Sequence, residues 1–228
     1  MSLQAVLFDM DGTLVDTEIL WWDTVELVSA EAGYRLVPGD AVHVTGASVA
    51  DTAEFLSSRT SSSGATSLLA RRLDDAFSEA VSSGVVLRPG ALRLLDLLAS
   101  AEITVALVSA SPRRVVSHVL RTVGADRFAV TVAAEDSPRN KPHPDPYLTA
   151  LARLGLRPEV CVAVEDSPTG VASAEGAGCP VLAVPSLLPI PPAQGRLIRS
   201  SLEQIDVTVL RDMVGAASCQ HVLRECEL

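Results

Sequence analysis

Short apolar runs alternate with amphipathic stretches along most of the chain, a pattern typical of parallel β-strands joined by helices. Five runs have the length and composition of strands, over residues 3–8, 103–108, 129–133, 160–164 and 181–184. They contain few polar residues, as expected for parallel strands that helices cover on both faces. The pattern therefore predicts an α/β fold with a Rossmann-like, doubly wound parallel sheet.

Helical patterns lie between these strands, over residues 91–101 and 112–123 and from residues 145 and 167 onward. The last three have a proline in their first turn and a glycine just after their end, which are start and stop signals for helices. The segment from residue 202 onward is also predicted as a helix, which ends the chain and caps the sheet.

Residues 16–87 break the alternation. They are predicted as helices over 18–32, 49–58 and 67–82, with a polar connection over 59–67 and no clear parallel strand. We therefore predict two domains: a catalytic core of residues 1–15 and 88–228, and a helical cap of residues 16–87 inserted after the first strand. Open α/β sheets bind ligands at the carboxyl ends of their strands, so an insertion there is well placed to act as a lid.

Composition narrows the function. The chain has 228 residues, is 48% hydrophobic and 20% charged, and has a formal charge of −10. This acidic balance argues against nucleic acid and anionic membrane surfaces as partners. No apolar stretch reaches the roughly 18 residues of a membrane helix, and the N-terminus lacks the basic region of a secretory signal. The four cysteines show no Cys-x-x-Cys pair, which argues against zinc and predicts a reducing cytoplasm.

The most informative segment follows the first strand and reads Asp9-Met10-Asp11-Gly12. A carboxylate at the carboxyl end of a strand can attack an electrophile, hold a hard cation, or do both. A helix-loop-helix calcium loop needs its glycine at the sixth position, whereas Gly12 is the fourth residue from Asp9, so that kind of site is excluded. A simple Asp-Gly turn stays open on this segment alone.

Polar residues also follow three further strands: Ser109 with Ala110 and Ser111, Lys141, and the adjacent pair Glu165 and Asp166. A hydroxyl with backbone amides behind it suits a phosphate oxygen, although Ser111 also fits a helix cap before Pro112. Lys141 stands in a loop stiffened by prolines, which is unusual for a solvated lysine. The acidic pair suits either a helix N-terminus or a magnesium site shared with Asp9.

Acid-x-acid, serine, lysine and acid-acid, in this order and each at a strand end, resemble the motifs of the haloacid dehalogenase superfamily. The resemblance is to its phosphatase-like members with a helical cap, the β-phosphoglucomutase and phosphoglycolate phosphatase-like subfamily, and it covers nearly the whole chain. It implies a Mg²⁺-dependent phosphatase that hydrolyses a small phosphorylated metabolite, such as a sugar phosphate, through an aspartyl-phosphate intermediate.

The same resemblance implies a role for each motif residue. Asp9 is expected to be the nucleophile and a metal ligand. Asp11 is expected to be the general acid for the leaving alcohol and then the base for water, with its backbone carbonyl directed at the metal.

The remaining motifs are expected to compensate charge. Ser109 and the amide of Ala110 would hold phosphoryl oxygens. Lys141 would neutralise the nucleophile and the transferring group. Asp166 would bind Mg²⁺, with Glu165 as a further ligand or a support. A dianionic phosphate repels a carboxylate nucleophile, so both the metal and the lysine are needed.

The cap sequence favours hydrolysis over a sugar-phosphate mutase, which stays the alternative. The mutase pattern has a histidine twelve residues after the nucleophile, where this chain has Trp21. It also has an arginine soon after a Gly-x-Ser in the cap, where Gly46-Ala47-Ser48 is followed by Val49. Trp21 also lies at the start of the first cap helix and is predicted as a substrate contact from the cap, although packing in the core of the cap also explains a tryptophan there.

Two other classes are disfavoured. A non-catalytic binding protein on this scaffold usually has a damaged motif, whereas every motif residue is present here. A dehalogenase does not need the metal site that Glu165 and Asp166 complete. The predicted partner is a small-molecule phosphate ester, with no nucleic acid and no membrane, and the predicted assembly is a monomer or a weak homodimer.

Overall fold

The computed structural model describes residues 2–45, 47–60 and 66–215. The strands within these ranges are β1 Ala5–Phe8, β2 Val15–Asp16, β3 Val86–Leu87, β4 Thr104–Val108, β5 Val130–Val132, β6 Cys161–Glu165, β7 Val181–Ala183 and β8 Arg196–Ile198. The α-helices are α1 Glu18–Glu31, α2 Ala41–Val44, α3 Val49–Arg59, α4 Thr66–Ser82, α5 Ala91–Ser100, α6 Arg113–Val123, α7 Asp145–Leu154 and α8 Pro168–Gly176, followed by α9 over residues 207–215.

Six of the strands form one parallel sheet in the order β5-β4-β1-β6-β7-β8. The chain adds β4 and β5 on one side of β1 and then β6, β7 and β8 on the other. The direction of winding therefore reverses beside β1, and open α/β sheets place their ligands at such a reversal. This sheet, with its helices, confirms the predicted Rossmann-like α/β core.

The centre of the sheet is apolar on both faces. The four residues of β1 are each 0% exposed: Ala5, Val6, Leu7 and Phe8. Full burial of a large apolar side chain contributes roughly 1.5–3 kcal/mol to the stability of the fold. This central strand therefore holds the residues that follow it in place.

The five predicted strands are all present, within one or two residues at each end. The apolar pattern does not reveal β8, because Arg196–Ile198 is a three-residue edge strand that begins with a charged residue. Nor does it reveal the two-residue strands β2 and β3, which form a separate two-stranded sheet. The predicted final helix begins with a 3-10 turn, Leu202–Gln204, before α9.

The chain folds as two compact units, Met1–Val15 with Leu87–Leu228, and Asp16–Val86. The second unit contains α1 to α4 around its own core, in which Val25, Val44, Leu56 and Leu73 are each 0% exposed. The role of residues 16–87 as a cap stays a prediction.

Two features of the sequence analysis fall on residues outside the described ranges. They are Gly46 of the Gly-x-Ser motif and residues 61–65 of the polar connection. In the described part of the chain, none of the helices is both long enough and apolar enough to cross a membrane.

Candidate active site

The predicted site residues follow adjacent strands of the large sheet. Asp9 comes directly after β1, Ser109 directly after β4, and Glu165 ends β6. The register pairs Phe8 with Leu107 on one side and with Val164 on the other. These parallel strands therefore end at the same edge, and their terminal side chains lie next to one another.

The lysine predicted in the proline-rich loop reaches this edge and is buried there. The Lys141 ammonium donates hydrogen bonds to Asp9 Oδ1 and Glu165 Oε1, both at 2.6 Å, and to the Val108 carbonyl at 2.9 Å. Burial lowers the pKa of Lys141, but the charges of Asp9 and Glu165 outweigh it and hold that pKa above its usual value. Lys141 is therefore a fixed cation, not a solvated surface lysine.

Asp9, Glu165 and Asp166 form a buried acidic cluster. Each offers a carboxylate oxygen, and these oxygens lie within 4.8 Å of one another. Burial is the main cause that raises the pKa of Glu165 to about 7 and that of Asp166 to about 8, and the charge of Asp9 raises both further. Among the described residues, two of these three carboxylates, those of Asp9 and Glu165, bond to the Lys141 ammonium.

Two oxygens of this cluster are buried without a hydrogen-bond partner in the described residues, namely Oδ2 of Asp9 and Oε2 of Glu165. Buried polar atoms are normally paired, so such orphans need an explanation. A hard divalent cation takes oxygen ligands and would offset both the excess negative charge and the unpaired oxygens. The donor set therefore fits a metal ion of this kind.

Two glycines leave the room that the acids occupy. A Cβ at Gly12 would lie 2.0 Å from Asp166 Oδ2, and one at Gly170 would lie 1.9 Å from Glu165 Oε2. Gly12 also has φ of +80°, which favours glycine. The sequence indicates only a turn at Gly12 and nothing at Gly170, because the steric reason is a contact with an acidic side chain that only the folded chain brings close.

Asp11 is held by two hydroxyls from the loop after β4. Its Oδ2 accepts from Ser111 Oγ at 2.7 Å and from Ser109 Oγ at 3.3 Å. The interpretation of Ser111 as a helix cap is wrong, because α6 has Pro112 at its N-cap without a side-chain cap. The Glu135 carboxylate instead accepts from the Arg113 amide at its start.

The alternative interpretation of the acidic pair as a helix cap is also wrong. The N-cap of α8 is Ser167, whose hydroxyl accepts from the Gly170 amide at 3.2 Å. Asp166 and Glu165 lie one and two residues before it, respectively, and join Asp9.

Three residues at this edge were missed by the sequence analysis. The Tyr147 hydroxyl donates to Glu165 Oε1 at 2.6 Å, and Ser186 Oγ donates to Asp166 Oδ2 at 2.5 Å. Asn140 Nδ2 donates to the carbonyl of Ala110 at 3.0 Å, which ties the lysine loop to the loop after β4. Only Asn140 had a signal in the sequence, its position next to Lys141.

Trp21 packs within the second unit. Its indole Nε1 donates to the Val44 carbonyl at 3.0 Å, and its ring meets Phe77 edge to face, with ring centroids 5.4 Å apart. Trp22 also packs against the core of this unit. A contact between Trp21 and substrate stays a prediction.

Comparison with known proteins finds a matching protein family and similar curated proteins. Residues 6–184 match the model of the family described as haloacid dehalogenase-like hydrolase. The chain is 33% identical to hexitol phosphatase A of Escherichia coli (strain K12) over 91% of this chain and 95% of that protein. It is 29% identical to the phosphorylated carbohydrates phosphatase of Thermotoga maritima, over 77% of this chain and 82% of that protein.

A solved structure has a fold similar to that of this chain. The crystal structure of CbbY from Rhodobacter sphaeroides in complex with phosphate superimposes with a TM-score of 0.76 and 25% identity. The superposition covers 89% of this chain and 96% of that one. The residues matched by the family model include all four strand-end motifs.

Proposed function

The chain belongs to the haloacid dehalogenase-like hydrolases, and from this membership we propose that it is a Mg²⁺-dependent phosphatase. Its substrate is a small phosphorylated metabolite, a monoester such as a sugar phosphate. The observation that carries the proposal is the buried contact of 2.6 Å between the Lys141 ammonium and Asp9, inside a cluster of three acids. Both relatives named above are phosphatases of phosphorylated carbohydrates or hexitols by their names.

The acidic cluster is the proposed site of Mg²⁺. Asp9 and Asp166 would be ligands through their side chains, with Glu165 as a further ligand or a support, and Asp11 would add its backbone carbonyl. The unpaired Oδ2 of Asp9 supports this assignment. When bound, Mg²⁺ supplies the positive charge that offsets the carboxylates and the phosphate dianion.

Asp9 is the proposed nucleophile. Its carboxylate forms a bond to phosphorus while the bond from phosphorus to the alcohol oxygen breaks, which gives an aspartyl phosphate. Lys141, fixed on Asp9 and kept charged, balances the negative charge on the transferring group. Phosphoryl transfer depends mainly on such positioning and charge compensation, which this arrangement supplies.

Asp11 is the proposed proton carrier. It gives a proton to the departing alcohol and then removes one from the water that hydrolyses the aspartyl phosphate. The hydroxyls of Ser109 and Ser111 on Asp11 Oδ2 orient its carboxyl group. Ser109 and the amide of Ala110 are the proposed partners of the phosphoryl oxygens.

The remaining assignments are part of the same proposal. Residues 16–87 act as a cap, Trp21 contacts the substrate, and the protein works in the cytoplasm as a monomer or a weak homodimer without nucleic acid. Hydrolysis is preferred to a sugar-phosphate mutase because Trp21 stands where the mutase pattern has a histidine.

A panel of phosphorylated sugars and p-nitrophenyl phosphate tests the proposal. With Mg²⁺ we expect release of inorganic phosphate, and excess EDTA should abolish it. Asp9→Asn should lower kcat by at least about 10⁴-fold because it removes the nucleophile, while the circular dichroism spectrum is unchanged. Near-normal hydrolysis by Asp9→Asn would refute the mechanism. Isomerisation that depends on a bisphosphate, without hydrolysis, would favour the mutase.

A further inference from the structure

Tyr147 is a buried residue with a polar contact that its position in the sequence does not indicate. It lies in α7 and is 0% exposed, among apolar side chains of the sheet core. Its hydroxyl donates to Glu165 Oε1 at 2.6 Å. A buried hydroxyl needs a partner, and here that partner is a carboxylate of the acidic cluster, so the contact is a strong, charge-assisted one.

The Glu165 oxygen that Tyr147 contacts is shared with the lysine. Oε1 of Glu165 also accepts from the Lys141 ammonium at 2.6 Å, and the same ammonium donates to Asp9 Oδ1 at 2.6 Å. Tyr147, Glu165, Lys141 and Asp9 therefore form one continuous chain of hydrogen bonds. It runs from a helix packed in the core to the proposed nucleophile.

The carboxylate in the middle of this chain is held from both ends. On the Oε2 side Gly170 leaves just enough space, since a Cβ there would lie 1.9 Å from that oxygen. On the Oε1 side the phenol and the ammonium are the two donors. Loss of the phenol would leave Lys141 as the donor that orients Oε1, and the carboxylate could turn with its ammonium.

We propose that Tyr147 is a positioning residue whose hydroxyl fixes Glu165 and, through Glu165, directs the Lys141 ammonium at Asp9. The kinetic consequence rests on the proposed phosphatase function. Tyr147→Phe keeps the ring, whose centroid lies 5.3 Å from the Lys141 ammonium, and removes only the hydroxyl. We expect kcat to fall by about tenfold with KM changed by less than about twofold, because the change concerns the transferring group and not the rest of the substrate.

The second unit supplies a matched control. The Tyr34 hydroxyl donates to the carboxylate of Asp40 at 2.8 Å, a bond of the same kind and nearly the same length. Tyr34→Phe should lower the melting temperature as Tyr147→Phe does, but it should leave kcat unchanged. Equal effects of both variants on kcat would overturn the proposal.

A double-mutant cycle tests whether Tyr147 acts through Glu165. Glu165→Gln removes the charge on which the chain depends, so adding Tyr147→Phe to it should lower kcat by less than about twofold more. Losses that multiply would show that Tyr147 acts independently of Glu165 and would overturn the proposal.

A measurement on metal-free protein keeps the test independent of activity and of the folding of the Glu165 variant. Nuclear magnetic resonance of ¹⁵N-lysine-labelled protein follows hydrogen exchange at the Lys141 ammonium. Exchange should be several-fold faster in Tyr147→Phe and unchanged in Tyr34→Phe; equal exchange in wild type and Tyr147→Phe would overturn the proposal. If wild type hydrolyses no phosphate ester, the proposed function fails, whereas the exchange rates still decide the positioning of Lys141.

Discussion

Two buried aspartates, one in each unit, are nearly equally hidden from solvent but have opposite electrostatic surroundings. Asp40 in the second unit is 4% exposed and Asp166 in the first is 6% exposed. The Val37 amide and the Tyr34 hydroxyl donate to Asp40 and hold its pKa below the usual value. Burial, followed by the charge of Asp9, raises the pKa of Asp166 to about 8.

The difference shows that burial alone does not make an acid functional. Two donors within six residues of Asp40 bond to its carboxylate. Asp40 therefore stabilises a loop and does not require a ligand. Asp166 accepts a hydrogen bond from Ser186 but lies among other carboxylates, so added positive charge would stabilise it. The first arrangement is structural, whereas the second suits the proposed magnesium site.

The largest expected effect concerns the Lys141 ammonium, which bonds to two acids of the acidic cluster. Lys141→Met leaves Asp9, Glu165 and Asp166 facing one another, so we expect unfolding of the metal-free protein to become easier by about 3–5 kcal/mol. Activity should fall at least about 10³-fold. Urea titration and a phosphate-release assay measure both.

The control for Lys141→Met is Arg72→Met. Arg72 forms an ion pair with Glu31 at 2.6 Å, but both side chains are more than 40% exposed. An exposed pair contributes about 0–1 kcal/mol, so stability should change little. Similar losses of stability in the two variants would contradict the contrast between the acidic cluster and an exposed ion pair.

The effect of Mg²⁺ on stability should distinguish Asp166 from Asp40 directly. At a Mg²⁺ concentration of 100 times Kd, the wild type should gain about 2.7 kcal/mol of stability. Asp40→Asn should keep this gain, because Asp40 already has its donors, whereas Asp166→Asn should lose most of it. Thermal unfolding with Mg²⁺ and with EDTA measures the gain. A full Mg²⁺ response in Asp166→Asn would rule out Asp166 as a ligand.

These contrasts also show how far the sequence alone could lead. The apolar runs predicted the strands of the core, because a parallel strand buried on both faces has few polar residues. Asp9, Ser109 and Glu165 could be recognised because each comes directly after such a run. Their meeting at one edge follows from the topology of a parallel sheet, which local patterns also predict.

What the sequence could not predict depends on contacts between distant residues. Tyr147 occupies a core position of α7, and nothing near it indicates that its hydroxyl meets Glu165, 18 residues away. The contact of Ser186 with Asp166 spans 20 residues and comes from an irregular segment after β7. Gly170 has the same difficulty, because its lack of a Cβ matters only against the Glu165 carboxylate.

A smaller effect is expected at two glycines that share the same left-handed backbone conformation. Gly12 and Gly33 both have φ of +80°, but a Cβ at Gly33 would meet nothing within 4 Å, whereas one at Gly12 would collide with Asp166. Gly33→Ala should therefore show only the cost of the left-handed backbone, about 1–2 kcal/mol. Gly12→Ala should lose about 1–3 kcal/mol more and should also lower Mg²⁺ affinity. Calorimetric titration and urea unfolding test both; equal effects at the two sites would mean that Asp166 moves away without cost.

The smallest expected effect is the loss, at low pH, of the stability that Asp40 contributes to the fold. Its pKa is lower in the folded chain than the value of about 3.9 for a free aspartate, so its contribution is complete above that pH. It is lost as the pH falls through the folded-state pKa, since the proton removes the charge on which the Val37 amide and the Tyr34 hydroxyl act. Asp40→Asn should thus lower the melting temperature by a few degrees at pH 7 and by clearly less near pH 2. A gap between wild type and Asp40→Asn that stays constant over this range would mean that Asp40 stabilises its loop without its charge, and the contrast with Asp166 would then rest on geometry alone.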